Sequence, residues 1–202
     1  MFIPRHPVVE NQFCQFGTSS GTNSTTGAGG VLAYAGSACY LDDTALQYDS
    51  TVKIYGANEN KPCFGFLMQK VKAGYHSIHP AGMMLPGDLG SSDVIAQPSY
   101  NANGVINGSK AAPVGVAHLG IWDTIHYSSA AAIVAGTNMF ILQSSLSELC
   151  ASTDSANTGA TVTTWTTPAG SVAVALKGAN IAQVTANVNN TTLYPIRVKL
   201  LV

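Results

Sequence analysis

The first candidate for catalytic chemistry is a serine in Gly17-Thr18-Ser19-Ser20-Gly21, which matches the G-x-S-x-G pattern. In that pattern a strand leads into the serine and a helix follows it, so that the hydroxyl is exposed on a strained turn. Here the motif is followed by residues 22–30, a polar stretch rich in Gly, Ser and Thr that does not favour a helix. The sequence therefore does not predict a nucleophilic serine, and no catalytic residue is proposed.

Histidines are the next candidates, as metal ligands. His76 and His79 are three residues apart, and on a strand only residues two apart share a face. Zinc sites also need Cys, Asp or Glu nearby, and the nearest carboxylate in sequence is Asp88. His118 and His126 lie further along the chain. The pattern favours polar contacts or interface hydrogen bonds over a metal site, and no metal or other cofactor is predicted.

Carboxylates are too few to predict acid–base catalysis. The acidic clusters are Asp42-Asp43 and the Asp88/Asp93 pair, and the chain has only three glutamates. General acid–base chemistry needs carboxylates that converge in a pocket. Asp88 fits the turn Pro86-Gly87-Asp88, and calcium bound by loop aspartates and backbone oxygens is the alternative. The protein is therefore not predicted to be an enzyme.

Four cysteines, Cys14, Cys39, Cys63 and Cys150, are spaced irregularly and form no C-x-x-C pair. The first residues, MFIPRHPVVE, contain no continuous apolar stretch of the kind that a signal peptide requires. Buried free thiols are therefore predicted, and a disulfide framework or a zinc site is the alternative.

Charge is scarce in this chain. Charged residues make up 9% of the 202 residues, whereas about 25% is usual for soluble domains. The net charge is −1, and the nine Lys and Arg residues are scattered along the sequence, so nucleic-acid binding is not predicted. No run reaches the roughly 18 apolar residues of a membrane helix, so no membrane association is predicted either. A surface this poor in charge predicts extensive contacts with other chains.

The elements around these residues are predicted to be strands. Short apolar or alternating segments recur at intervals of about ten residues, which predicts an all-β fold with a single β-barrel or β-sandwich domain. One short helix is predicted over residues 144–150, where Ser144 or Ser145 caps it and Glu148 completes a capping box. A turn is predicted at Ala135-Gly136-Thr137-Asn138 and another over residues 85–92. The predicted strands are residues 28–40 (a strand pair around Gly36), 46–55, 64–71, 75–84, 112–121, 139–142, 161–167, 171–177, 181–188 and 193–202.

An extended N-terminal arm is predicted to precede this domain. Pro4 and Pro7 disfavour a helix, and the apolar side chains around them are too numerous for a solvated tail. The arm must pack on its own domain or on a neighbouring subunit, and residues 17–30 form a flexible linker or surface loop. The domain boundaries are therefore residues 1–30 for arm and linker and 31–202 for the β-rich domain. The candidate partner contacts are Phe2, Ile3, Pro4, Arg5, Pro7, Val8, Val9 and Phe13.

Three segments of the chain resemble the head decoration, or cement, proteins of tailed phages, especially those of cyanobacterial phages. They are residues 64–69 (FGFLMQ), 84–93 (MLPGDLGSSD) and 113–123 (PVGVAHLGIWD). The turn Ala135-Gly136-Thr137 before the strand at 139–142 is similar to turns of other β-rich virion proteins. These segments lie between residues 64 and 137, a stretch that covers between a third and a half of the chain.

This resemblance implies a structural virion protein that sits on the outside of an icosahedral capsid and bridges subunits of the major capsid protein. It implies a homo-oligomer, a trimer or a dimer, made in the host cytoplasm, with no catalytic residues. The alternatives are another phage structural protein (tail tube, fibre or adaptor) or a carbohydrate-binding β domain. In the last of these, Trp122 or Trp165 would form an aromatic platform rather than pack in the core.

Overall fold

The protein is described from a computed structural model. Within the described residues, all regular secondary structure is β-strand, which confirms the all-β fold class. The described residues are 2–5, 10–18, 31–42, 50–55, 61–73, 94–100, 102–103, 106–128, 131–142, 147–151, 171–179 and 194–202. The strands are β1 Phe2–Pro4, β2 Glu10–Thr18, β3 Val31–Ala33, β4 Ala38–Leu41, β5 Thr51–Ile54, β6 Gly65–Leu67, β7 Val71–Ala73, β8 Val94–Tyr100, β9 Ile106–Leu119, β10 Ile121–Thr124, β11 Asn138–Leu142, β12 Glu148–Ala151, β13 Ala173–Lys177 and β14 Ile196–Leu200.

Five of these strands form a closed ring in the order β2-β5-β4-β6-β9. The ring closes because β2 pairs in parallel with β5 on one side and antiparallel with β9 on the other. Phe16, Val52, Leu67, Val114 and Val116 are fully buried in one apolar cluster. Five strands leave an interior that side chains fill completely, so the ring is a packed barrel and not a channel.

Strand β9 extends beyond the ring. Its first residues pair with β8, which pairs in parallel with β7, and β7 pairs with β3. These strands bring the sheet to eight strands. The strand predicted over residues 64–71 is therefore two strands, because the chain bends at Met68 and Gln69 and leaves the ring between β6 and β7.

A second, six-stranded sheet packs against the outside of this barrel in the order β1-β10-β14-β13-β11-β12. Its inner face carries Ile196, Val198 and Leu200 of β14, all fully buried. They belong to the same apolar cluster as Phe66 and Ala117 of the barrel wall. The fold thus combines the two predicted architectures, a β-barrel and a β-sandwich. The barrel wall is one layer of the sandwich, and the six-stranded sheet is the other.

The N-terminal segment is part of both sheets. Strand β1 pairs with β10 at the edge of the six-stranded sheet, and β2 belongs to the ring. Phe2 is 6% exposed, and its ring stacks on Trp122 with centroids 4.6 Å apart. Two partners were predicted for the arm, its own domain or a neighbouring subunit, and residues 2–4 and 10–18 pair with strands of their own chain. Residues 6–9 and 19–30 lie outside the described residues.

The predicted helix over residues 144–150 is wrong at its C-terminal end, because Glu148–Ala151 is strand β12 and pairs antiparallel with β11. Leu149, Cys150 and Ala151 are all buried, whereas a single helical turn would expose one side. Ser147 turns the chain into this strand with φ of 50°, and its hydroxyl donates to the Tyr55 carbonyl at 2.8 Å. Tertiary contacts thus override the local capping signal. Residues 144–146 lie outside the described residues.

The predicted turn at residues 135–138 is confirmed, since Gly136, with φ of +88°, precedes β11. The strand pair predicted around Gly36 is two strands, β3 and β4, with Gly36 between them at φ of +97°. The strands on either side of Gly36 pair with different neighbours and not with each other. The turn over residues 85–92 and the strands over residues 75–84, 161–167 and 181–188 were predicted in parts of the chain outside the described residues.

Replacing Phe2 with alanine is expected to lower the free energy of unfolding by about 3–5 kcal/mol, because it removes a buried ring from the core. Phe13, 67% exposed, provides the matched control, since its replacement with alanine is expected to cost about 0.5 kcal/mol or less. Urea unfolding followed by tryptophan fluorescence measures both. Equal effects of the two substitutions would contradict the placement of Phe2 in the core.

Candidate interaction surface

Several residues that the sequence analysis considered as functional candidates lie outside the described residues: Ser19, His76, His79, Asp43, Asp88, Asp93 and Trp165. Of the two described histidines, His118 lies with Nδ1 2.6 Å from the carbonyl oxygen of Phe64, so Nδ1 carries the proton. His126 lies with Nε2 3.1 Å from the Ser37 hydroxyl and stacks on Tyr34. Both rings thus contact groups of the fold itself. Within the described segments, no three His, Cys, Asp or Glu side chains are grouped as a metal ion would require.

None of the four cysteines forms a disulfide, as the spacing predicted. Cys39 and Cys63 both donate to the Gly65 carbonyl, with sulfur–oxygen distances of 3.4 and 3.7 Å. Burial raises the pKa of Cys63 to about 12, and the hydrogen bond to Gly65 offsets only part of that effect. Burial also raises the pKa of Cys39 and Cys14, so these thiols remain protonated at neutral pH. Protonated, buried thiols are poor nucleophiles and poor metal ligands.

The main electrostatic feature is an ion cluster on the outer face of the six-stranded sheet, centred on Asp123 of β10. Arg5 donates from Nε to Oδ2 at 2.7 Å. Arg197 of β14 donates from Nε to Oδ1 at 2.8 Å and from Nη2 to Oδ2 at 3.2 Å. Asp123 is only 6% exposed, and burial acts to raise its pKa. The hydrogen bonds and positive charges of Arg197 and Arg5 outweigh that effect, so the pKa of Asp123 lies below its ordinary value.

Large apolar side chains are exposed at several places on the surface. Phe13 of β2 is the most exposed, at 67%, and it lies opposite Gly115 of β9. The space over Gly115 is filled by Met68, whose Sδ would lie 3.1 Å from a Cβ at that position, and the ring of Phe13 stays exposed. Exposed aromatic side chains of this size are typical anchors of protein interfaces. The other exposed large apolar residues are Tyr34, Leu41, Leu119, Val134, Leu176, Tyr194 and Leu201.

The predicted partner contacts occupy different environments. Phe2 is used in the core, and Ile3 and Pro4 form the rest of strand β1, in register with Asp123 and Trp122. Arg5 and Phe13 are exposed, whereas Pro7, Val8 and Val9 lie outside the described residues. Of the described members of that set, only Arg5 and Phe13 are shown with side chains available to a partner, and their role as contacts stays a prediction.

Sequence reasoning missed Asp123 and Arg197. The alternation in Ile196-Arg197-Val198-Lys199-Leu200 carried a usable signal, since apolar residues two apart predict that the basic residues between them face outward. The pairing of Arg197 with Asp123 depends on the register between β14 and β10, which are more than 70 residues apart in sequence. No local pattern encodes that register.

A scan against protein-family models, a search of curated proteins and a search of solved structures find no match to this chain. Within the described residues, no helix has the length and hydropathy needed to cross a membrane.

Replacing Asp123 with asparagine is expected to lower the free energy of unfolding at pH 7 by about 1–2 kcal/mol, an amount limited by the partial exposure of both arginines. The folded-state pKa of Asp123 is depressed, so its contribution is complete above the unfolded-state pKa of about 3.9 and is lost as pH falls through the folded-state value. Urea unfolding of both proteins between pH 7 and pH 2.5 should show their difference shrinking only below about pH 4. A difference that is constant over this range would contradict the ion cluster.

Thiol titration is expected to find four reactive thiols in denaturant, because none of the four cysteines forms a disulfide. In the native protein at pH 8, Cys14, Cys39 and Cys63 should react more slowly than free cysteine by about tenfold or more, since burial raises their pKa. Ellman's reagent with and without denaturant measures both quantities. Fewer than four groups in denaturant would show that disulfides form in the isolated protein.

Proposed function

We propose that the protein is a structural virion component that decorates the outside of an icosahedral phage capsid and bridges subunits of the major capsid protein. The observation that carries the proposal is a surface with little charge and exposed large side chains. Only 9% of the residues are charged, and eight large apolar side chains among the described residues are at least 40% exposed. A monomer that diffuses freely normally has a more charged surface.

The described chemistry supports a role in binding rather than in catalysis. The thiols are protonated, and the ion cluster around Asp123 joins three strands of one sheet. Asp123 has both carboxylate oxygens occupied by arginine donors, so it is poorly placed to accept a proton from a substrate. These groups stabilise a rigid β scaffold on which exposed apolar side chains are held in fixed positions.

A cement protein of this kind would act by burying surface at many equivalent positions of the shell. Each contact of roughly 1,000 Å² or more slows the escape of the subunits that it joins. Repetition over the lattice adds avidity, particularly if the protein is itself a dimer or trimer. We propose Phe13 as an anchor of this contact, since it is the most exposed aromatic side chain described.

Cosedimentation with empty shells of the major capsid protein encoded in the same genome is the direct test. The wild-type protein should bind, and Phe13→Ser should weaken binding by about tenfold, because exposed aromatic anchors contribute disproportionately to interfaces. Leu41→Ser, at a residue 42% exposed outside the N-terminal strands, is the matched control and should bind like wild type. Light scattering of the protein alone should give a mass above 20.9 kDa. A monomer that does not sediment with shells would overturn the proposal.

A further inference from the structure

The fold gathers basic residues that are scattered in the sequence. Arg197 and Lys199 lie on the outer face of β14, because Ile196, Val198 and Leu200 of the same strand are buried on the inner face. Lys177 of β13 lies directly opposite Arg197. Arg5, at the end of β1, reaches the same face through Asp123. Four of the nine Lys and Arg residues of the chain therefore share this face, which we term the basic face.

This arrangement is unfavourable for the isolated protein. Lys177 and Arg197 are like charges at directly opposed positions of neighbouring strands, a placement that destabilises a sheet. Lys199 lies two residues from Arg197 on the same side, which is about 7 Å at the spacing of a strand. In the part of the chain that the structure describes, Asp123 is the one carboxylate that pairs with members of this group. Neither lysine has an ion-pair partner there to compensate the repulsion.

The two arginines are held in position but keep donors available. Asp123 accepts from Nε of Arg5 and from Nε and Nη2 of Arg197. Both Nη groups of Arg5 and Nη1 of Arg197 make no contact with this carboxylate. The side chains of Arg5 and Arg197 are 46% and 40% exposed. An arginine fixed in this way loses less conformational entropy when it binds a further carboxylate.

Apolar side chains lie among these charges. Leu176 precedes Lys177 and is 41% exposed, and Leu201 follows Lys199 by two residues and is 49% exposed. Interfaces between proteins combine such apolar contacts with arginine, whereas binding of nucleic acid depends on long basic tracks along the phosphates. Four cations on one sheet face, two of them bound to Asp123 and with exposed leucines adjacent in sequence, match a polypeptide partner better than a phosphate backbone.

We propose that the basic face binds an acidic segment of another polypeptide, with carboxylates of the partner on Lys177, Lys199 and the arginines and its apolar side chains on Leu176 and Leu201. The basic face lies on the six-stranded sheet, whereas Phe13 lies on the barrel, so this inference does not rest on the proposed capsid role.

Fluorescence anisotropy with a short fluorescein-labelled peptide of repeated Glu-Glu-Leu tests this inference at about 0.15 M salt. The wild-type protein should bind this peptide and should not bind the matched peptide in which Gln replaces Glu. The double variant Lys177→Gln/Lys199→Gln should bind about tenfold more weakly. These lysines make no described ion pair, so their loss should leave the urea unfolding midpoint the same or higher.

The control is Lys70→Gln/Lys72→Gln, which removes the same charge next to and within β7 of the other sheet. It should bind the acidic peptide like wild type. An equal loss in both double variants would overturn the proposal, because it would show attraction by net charge alone. The proposal is also wrong if the peptide does not bind, or if a DNA duplex or vesicles with anionic lipid bind more tightly than the peptide. Failure of capsid binding by Phe13→Ser leaves this result unaffected, so the two proposals fail separately.

Discussion

The antiparallel pairing of β2 with β9 is the contact on which the rest of the structure depends. Without it, the ring would be an open sheet whose two edge strands expose unpaired backbone groups. The pairing runs from Glu10 opposite Leu119 to Thr18 opposite Ser109, with two irregularities that bend the strands around the ring. It also places Cys14 and Phe16 in the barrel interior. Because β2 comes near the start of the chain and β9 near its middle, closure requires a long-range contact, and contacts of this kind slow folding.

The same constraint explains why the first residues are so apolar. The chain leaves the six-stranded sheet at β1 and enters the barrel at β2, so the N-terminal segment joins two layers. Phe2 contributes to the interface between those layers through Trp122 and Phe66. The apolar side chains that suggested an arm reaching for a neighbour are, where described, explained in part by the core of the same chain. The exception is Phe13, which points away from both cores.

The fold class could be predicted from the sequence, but the arrangement of the strands could not. Alternation in residues 193–202 correctly placed a terminal strand, and the glycine turn at Gly136 correctly placed the start of β11. The break in the strand at Met68 could not be predicted, because every residue of 64–71 is compatible with a strand. The chain bends there because β6 belongs to the ring and β7 does not. Ser145 and Glu148 match the sequence pattern of a helix cap. Leu149 and Cys150 are both buried, although neighbouring residues of a strand face opposite sides, and this burial on both faces favours a strand. Sites were harder to predict than elements, since Asp123, Arg5 and Arg197 meet only through register between distant strands.

The small number of charged residues and their positions have the same physical cause, the cost of removing a charge from water. A charged residue inside a small barrel or between tightly packed sheets would lose its hydration, at a cost that a single ion pair does not repay. Asp123 shows the compromise, since it is buried but has two arginine partners whose head groups remain in water. With the interior closed to charge, the few basic residues of the six-stranded sheet must lie on its outer face, where they collect. A protein that bridges two partners would need two separate binding surfaces, and the two surfaces proposed above lie on different layers of the fold. The aromatic surface at Phe13 lies on the barrel, and the basic face lies on the sheet packed against it. Because those two layers share one apolar core, Phe13 and the basic face are held in fixed positions relative to each other.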